Sequence, residues 1–170
     1  GTGTITVGQS GDTITIPSGA TLSNQGTTVP TSFGKMGQVV VTKTTSNIST
    51  TSTSIVASGF TASITPSATT SKVLVFIAGG KGTDAGAGRV DAYIYSQTAS
   101  GGYSELFKFI DDNNQNGAFG QTFSGADLHT TNTTSQVDYQ VYLKVNAGEV
   151  YINNDSQLTI TLMEILAWVF

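Results

Sequence analysis

His129 is the only imidazole in this chain, and there is no cysteine. A Ser-His-Asp triad would have to run through His129, yet no Gly-x-Ser-x-Gly elbow offers it a nucleophile. A single His beside Asp127 on a β-rich chain reads as a structural or surface residue rather than a general base. Zinc takes three or four His, Cys or carboxylate ligands, which one His without Cys does not readily supply. Paired-carboxylate glycoside chemistry would draw on Glu105, Asp111, Asp112, Asp127, Asp138, Glu149, Asp155 and Glu164. Nothing in their spacing sets two of them at a working separation, so they read as scattered solvated charges. No enzyme, catalytic residue or cofactor is expected.

Two other constellations have binding chemistry. Asp112-x-Asn114-x-Asn116-Gly117 matches the first half of a calcium loop, with oxygen ligands at alternate positions and Gly sixth. The twelfth position is Phe123 instead of Glu, which rules out an EF-hand. Asp112, Asn114 and Asn116 remain a candidate half-site that other loops would have to complete, against a plain Asn-Gly turn. Tyr93, Tyr95, Tyr103, Tyr142 and Trp168 are the aromatics suited to stacking on sugar rings, each offering an apolar face and, for Tyr, a polar tip. Their competing reading is packing across strands or between subunits.

Composition narrows the class. Charged residues make up 11 % of the 170 residues, about half the usual share, while the hydrophobic share is ordinary. The polar surface must then be built from Thr, Ser, Asn, Gln and Gly, types that favour strands and turns over helices. Seven Lys and Arg against eleven Asp and Glu leave a net charge of −4. With no basic run, a nucleic-acid partner held through its phosphates is not expected. No apolar stretch reaches the roughly 20 residues of a membrane span. The chain opens on Gly1, which suits a fragment or a processed product.

These side chains must be positioned by strands. Val73 to Ala78 are six apolar residues in a row, bounded by Ser/Thr and by Gly-Gly, and read as a strand buried on both faces. Further strands are expected over 38–44, 50–55, 60–65, 89–97, 104–111, 118–124, 126–129, 137–145, 150–152 and 158–166. Gly79 to Gly88 reads as a mobile loop. In 137–145, Val137, Tyr139, Val141, Leu143 and Val145 share one face. In the last strand Leu158, Ile160, Leu162 and Leu166 share one face, with Met163 and Ile165 on the other. Beyond it Trp168, Val169 and Phe170 have no obvious cover within one small domain. Met163, Ile165, Trp168, Val169 and Phe170 are therefore the expected oligomer interface.

Residues 1–33 differ. Their β segments are very short, each with one or two large apolar residues, and are separated by Gly-rich turns. They form either a β-meander on the main domain or a stem in which several chains wrap together. Residues 34–170 are expected to form an antiparallel jelly-roll-like β-sandwich, all-β throughout.

The segment Gly11-Asp12-Thr13-Ile14-Thr15-Ile16-Pro17-Ser18-Gly19-Ala20-Thr21-Leu22 resembles one found in tail-fibre and other virion structural proteins of tailed phages, notably those of cyanobacteria and marine bacteria. Three further blocks are similar to the C-terminal domain of the same proteins. They are Gly37-Gln38-Val39-Val40-Val41, Ile64-Thr65-Pro66 through Lys72-Val73-Leu74-Val75, and Leu158-Thr159-Ile160-Thr161-Leu162-Met163-Glu164-Ile165. The resemblance implies a non-enzymatic homotrimeric virion appendage whose C-terminal β-domain faces outward, with other virion proteins and a host-surface glycan as partners. It carries over no catalytic or binding residue. The short N-terminal part and the extension Ala167-Trp168-Val169-Phe170 also suit a capsid-decorating protein or head fibre. A monomeric carbohydrate-binding module using Tyr93 and Tyr95 is the expectation from another class.

Overall fold

Period-two alternation of apolar and polar residues governs the second half of the chain. In the computed structural model, which describes residues 35–83, 89–98, 101–112, 121–153 and 157–166 together with Thr13, it becomes a set of paired strands. The chain divides into two compact units, Gly1–Phe33 and Gly34–Phe170. The β segments read in the first unit lie, Thr13 apart, outside the described residues. The described strands of the second unit are β1 (Lys35–Thr44), β2 (Ile48–Thr50), β3 (Val56–Ile64), β4 (Lys72–Thr83) and β5 (Val90–Thr98), followed by β6 (Ser104–Asp112), β7 (Gln121–Thr130), β8 (Val137–Val145), β9 (Val150–Ile152) and β10 (Leu158–Leu166).

All pairings are antiparallel. One sheet runs β3-β8-β5-β6, and the other contains β1, β10, β4 and β7 side by side. The short β9 and β2 prolong this second sheet. β10 pairs with β4 over Lys72–Ala78, β9 takes the same edge over Lys81–Thr83, and β2 pairs with β9 as β1 pairs with β10. β9 and β10 thus act as one interrupted strand. Asn153, just after β9, adopts a positive φ of 74°. Its amide Nδ2 donates to the carbonyls of Thr44 and Ser46, and its N–H donates to that of Gly80, so both neighbouring strands are tied at the break. Four long strands on four, with the chain crossing repeatedly between layers, is the jelly-roll arrangement.

The core lies between the sheets. Val73, Val75 and Ile77 of β4, with Leu158, Ile160 and Leu162 of β10, meet Val137, Tyr139, Val141, Leu143 and Val145 of β8 and Val90, Ala92 and Ile94 of β5, all buried. At the β6/β7 edge Phe107, Phe109 and Phe123 pack on one another. The layers come so close there that a Cβ on Gly125 would stand 2.7 Å from the Cβ of Phe109.

Several expectations are corrected. The strand expected at 50–55 ends at Thr50. Its hydroxyls take over the backbone: Ser52 N–H donates to Thr50 Oγ1 at 3.0 Å, and Ser54 N–H to Ser52 Oγ at 3.1 Å. Such local bonds compete with a ladder. The glycines expected to open a loop at Gly79 instead continue β4 to Thr83, because β7 and β9 pair with them. The two strands expected at 118–124 and 126–129 are the single β7, uninterrupted at Gly125. The Val73–Ala78 run is buried on one face only, and Phe76 on the other is 38 % exposed.

Candidate functional site

The two outer faces of the sandwich differ in chemistry. On the β3-β8-β5-β6 sheet, side chains that alternate away from the core include tyrosines with charged, amide and hydroxyl residues. Tyr93 lies opposite Tyr142, and Tyr95 opposite Gln140. The Tyr95 and Tyr142 rings stack with centroids 4.2 Å apart, Tyr103 tilts against Tyr142 at 5.7 Å, and Tyr93 meets Tyr95 edge-on at 6.3 Å. The structure therefore brings together all four tyrosines marked in the sequence. Tyr93 is itself buried. Tyr95 keeps its phenol protonated to higher pH than usual, through burial and the nearby Glu105 carboxylate.

Next to these rings lies a cluster that the sequence reading missed. Asp91 on β5 is 4 % exposed and receives Arg89 Nε at 2.9 Å, Lys108 Nζ at 3.1 Å and Lys144 Nζ at 3.5 Å. Asp111 completes it, 2.6 Å from Arg89 Nη2 and 3.3 Å from Lys108 Nζ. Register explains the assembly, since Asp91 stands directly opposite Lys144 on β8 and Asp111 on β6. Two carboxylates facing each other would repel, and the cations threaded between them remove that cost. Burial would raise the Asp91 carboxyl, but hydrogen bonds from Lys108 and Arg89 hold it below its ordinary value. Thr53, Arg89, Asp91, Tyr93, Lys108, Lys144, Val145 and Asn146 enclose a cleft of about 380 Å³. The available signal was the alternation itself, which puts Asp91 on the same face as Tyr93 and Tyr95.

The opposite outer face is apolar at its centre, flanked by Lys72 and Thr130 towards one end and by Lys43, Thr159 and Ser124 towards the other. Val39, Met163, Leu74 and Leu128 form a line in register across β1, β10, β4 and β7. Beside it runs Val41, Thr161, Phe76 and Ala126, and Met36 pairs with Ile165. Among the described residues six large apolar side chains are exposed, and five of them, Met36, Val39, Val41, Phe76 and Leu128, lie on this face. Their grouping makes a patch out of what would otherwise be scattered surface apolar residues. Met163 and Ile165 belong to it, half-buried. Trp168, Val169 and Phe170 lie outside the described residues, as do Asn114 and Asn116 of the calcium half-site. Among the described residues no group of three or more His, Asp or Glu is placed to hold a metal ion, and no helix is long and apolar enough to cross a membrane.

His129 points into the sandwich, where Nδ1 lies 2.9 Å from the Tyr139 hydroxyl. Burial lowers its pKa, opposed by Asp127. Glu164, read as a solvated carboxylate, is instead 1 % exposed. It occupies an inward position of β10, and hydrogen bonds from Ser67 and Gln38 replace its water.

No family model and no curated protein matches this chain. Among solved structures, the Eiger TNF protein of S. frugiperda is similar over 58 % of this chain and 61 % of its own, with a TM-score of 0.40 and 12 % identity. A chain of infectious bursal disease virus, Gx strain, is similar over 78 % of this chain, with a TM-score of 0.44 and 13 % identity. This chain spans 39 % of that one.

Proposed function

We propose that this chain is a non-enzymatic structural component of a tailed-phage virion, a fibre or appendage domain that binds a host-surface glycan as a homotrimer. The observation that carries the reading is the chemical opposition of the two outer sheet faces. The apolar β1-β10-β4-β7 face is suited to burial against two further copies. The tyrosine face of the other sheet, with ring faces, hydroxyls and amides within a few ångströms, is suited to a saccharide. Three copies would multiply weak individual contacts into useful adhesion. The resemblance of the blocks at 11–22, 37–41, 64–75 and 158–165 to phage virion proteins supplies the setting. A capsid-decorating role would use the same trimer without the glycan.

Solution mass by light scattering on the full chain, paired with a glycan-binding screen read by tyrosine fluorescence, tests the reading. A trimer that binds glycans is the expected result. A trimer without glycan binding favours the decorating role. A monomer that binds glycans favours a single-chain carbohydrate-binding module and overturns the trimer.

A further inference from the structure

We propose that the cleft formed by Arg89, Lys108 and Lys144 receives the carboxylate of an acidic sugar, so that the glycan this face binds is a uronic-acid type rather than a neutral one. The inference deepens the glycan reading and rests on it.

Charge is scarce in this chain, and it is concentrated here. Of its seven Lys and Arg residues, three gather around Asp91, although the chain as a whole carries a net charge of −4. Among the described residues, the three cations and the two carboxylates of Asp91 and Asp111 give the cluster a net charge of +1. That matches a singly charged ligand group. Asp91 is almost fully buried, accepts hydrogen bonds from Arg89 and Lys108 and forms an ion pair with Lys144, so their heads are held in place before any ligand arrives. Such preorganisation lowers the entropic cost of binding. An ammonium has three donors and a guanidinium five, and the contacts within the cluster use only some of them. Side chains of Arg89, Lys108 and Lys144 stay 38 %, 27 % and 36 % exposed, so the remaining donors are accessible.

The rest of the cleft suits a sugar ring. Tyr93 supplies an apolar wall, with Lys108 Nζ 5.4 Å from its ring centroid, and Thr53 and Asn146 supply neutral hydrogen-bonding groups. Its volume of about 380 Å³ is at the small end of the roughly 300–1,000 Å³ of ligand sites, enough for one or two saccharide rings. A nucleic-acid backbone would need a longer basic track than a single cleft.

Titration calorimetry on the full chain would use uronic-acid oligosaccharides and their methyl esters, which keep the rings and lose the charge, with sulfated neutral oligosaccharides as a third arm. The expected result is binding of the acid, at least about tenfold weaker binding of the ester, and a similar loss in Lys144→Gln and Lys108→Gln, as follows from removing a charge-assisted hydrogen bond. Lys35→Gln, at the start of β1, controls for net charge and is expected to bind normally. Sulfated sugars binding in preference to the acid would overturn the carboxylate assignment. Equal binding of acid and ester, or acid binding untouched by both lysine substitutions, would overturn the cleft while leaving glycan adhesion standing. Absence of binding by all three sugar classes, in a chain of unchanged mass and fold, would overturn it as well. Trimer mass is read separately, so failure here and failure of the trimeric appendage reading are distinguishable.

Discussion

Ser67 donates both its backbone N–H and its hydroxyl to one oxygen of Glu164, each at 2.6 Å. The other oxygen accepts from Gln38 Nε2 at 3.1 Å. Gly37 has no room for a side chain, since a Cβ there would stand 2.8 Å from Glu164 Oε2. One buried carboxylate therefore joins β1, the β3–β4 connection and β10. These elements hold the blocks 37–41, 64–75 and 158–165 singled out in the sequence. Their common geometry is a hydrogen-bonded knot at one end of the sandwich.

The knot makes stability depend on acid pH. Burial alone would raise the Glu164 pKa, but the Ser67 and Gln38 hydrogen bonds bring it from 4.5 down to about 2. A depressed carboxylate contributes stability that is fully present above the unfolded value and is lost as pH falls through the folded one. Denaturant titrations are expected to show about 3 kcal/mol disappearing between about pH 5 and pH 2. Glu164→Gln should be less stable at pH 7 and show a much shallower fall across that window. An unchanged slope would mean the carboxylate is not the group titrating.

A second acid-sensitive element begins at higher pH. His129 is held neutral beside Tyr139, its pKa lowered from 6.5 by burial. As pH drops below 6.5 the unfolded chain takes up the proton first, so stability declines until the folded pKa is passed. His129→Gln keeps a hydrogen-bonding group for the Tyr139 hydroxyl but has no such titration. Unfolding free energies at pH 7.5 and 5.5 should differ for the parent chain and coincide for the variant.

Close packing of the layers is tested at Gly125. Alanine there would place its Cβ 2.7 Å from Phe109 Cβ and 3.1 Å from Phe107 Cε2. Overpacking of this kind costs about 1–3 kcal/mol. Thermal unfolding of Gly125→Ala should show that loss, and combining it with Phe109→Gly, which removes the opposing Cβ, should give less than the sum of the two single effects, because the clash is relieved.

The apolar face is tested by charge. Val41→Asp and Leu128→Asp alter side chains that are 50 % and 47 % exposed in the single chain. Surface substitutions of this sort typically change folding stability by no more than about 0.5 kcal/mol. In a trimer they would bury unpaired carboxylates at the interface. Light scattering should therefore move the double variant from trimer to monomer while circular dichroism keeps its β signature.

Much of the architecture was legible because the sheet period is two. Val137–Val145, Val150–Ile152 and Leu158–Leu166 appear in the structure with the bounds read from sequence, and the inward residues of β8 are those expected. Local chemistry defeated the reading where side chains or partners override propensity. The hydroxyls of Thr50 and Ser52 end β2 early, and pairing on both edges holds the glycines of β4 in a strand.

The sequence by itself determined the all-β class, the alternating faces and the gathering of Tyr93, Tyr95 and Tyr142 on polar ones, since these follow from neighbours along the chain. Only the tertiary structure decided which strands lie side by side, and that set the chemistry. Asp91 meets Lys108 and Lys144 through cross-strand register over 17 and 53 positions, and Glu164 meets Ser67 and Gln38 over 97 and 126. A carboxylate in a linear sequence looks the same whether water or three cations will surround it. Its surroundings are fixed when distant strands pair and exclude the solvent.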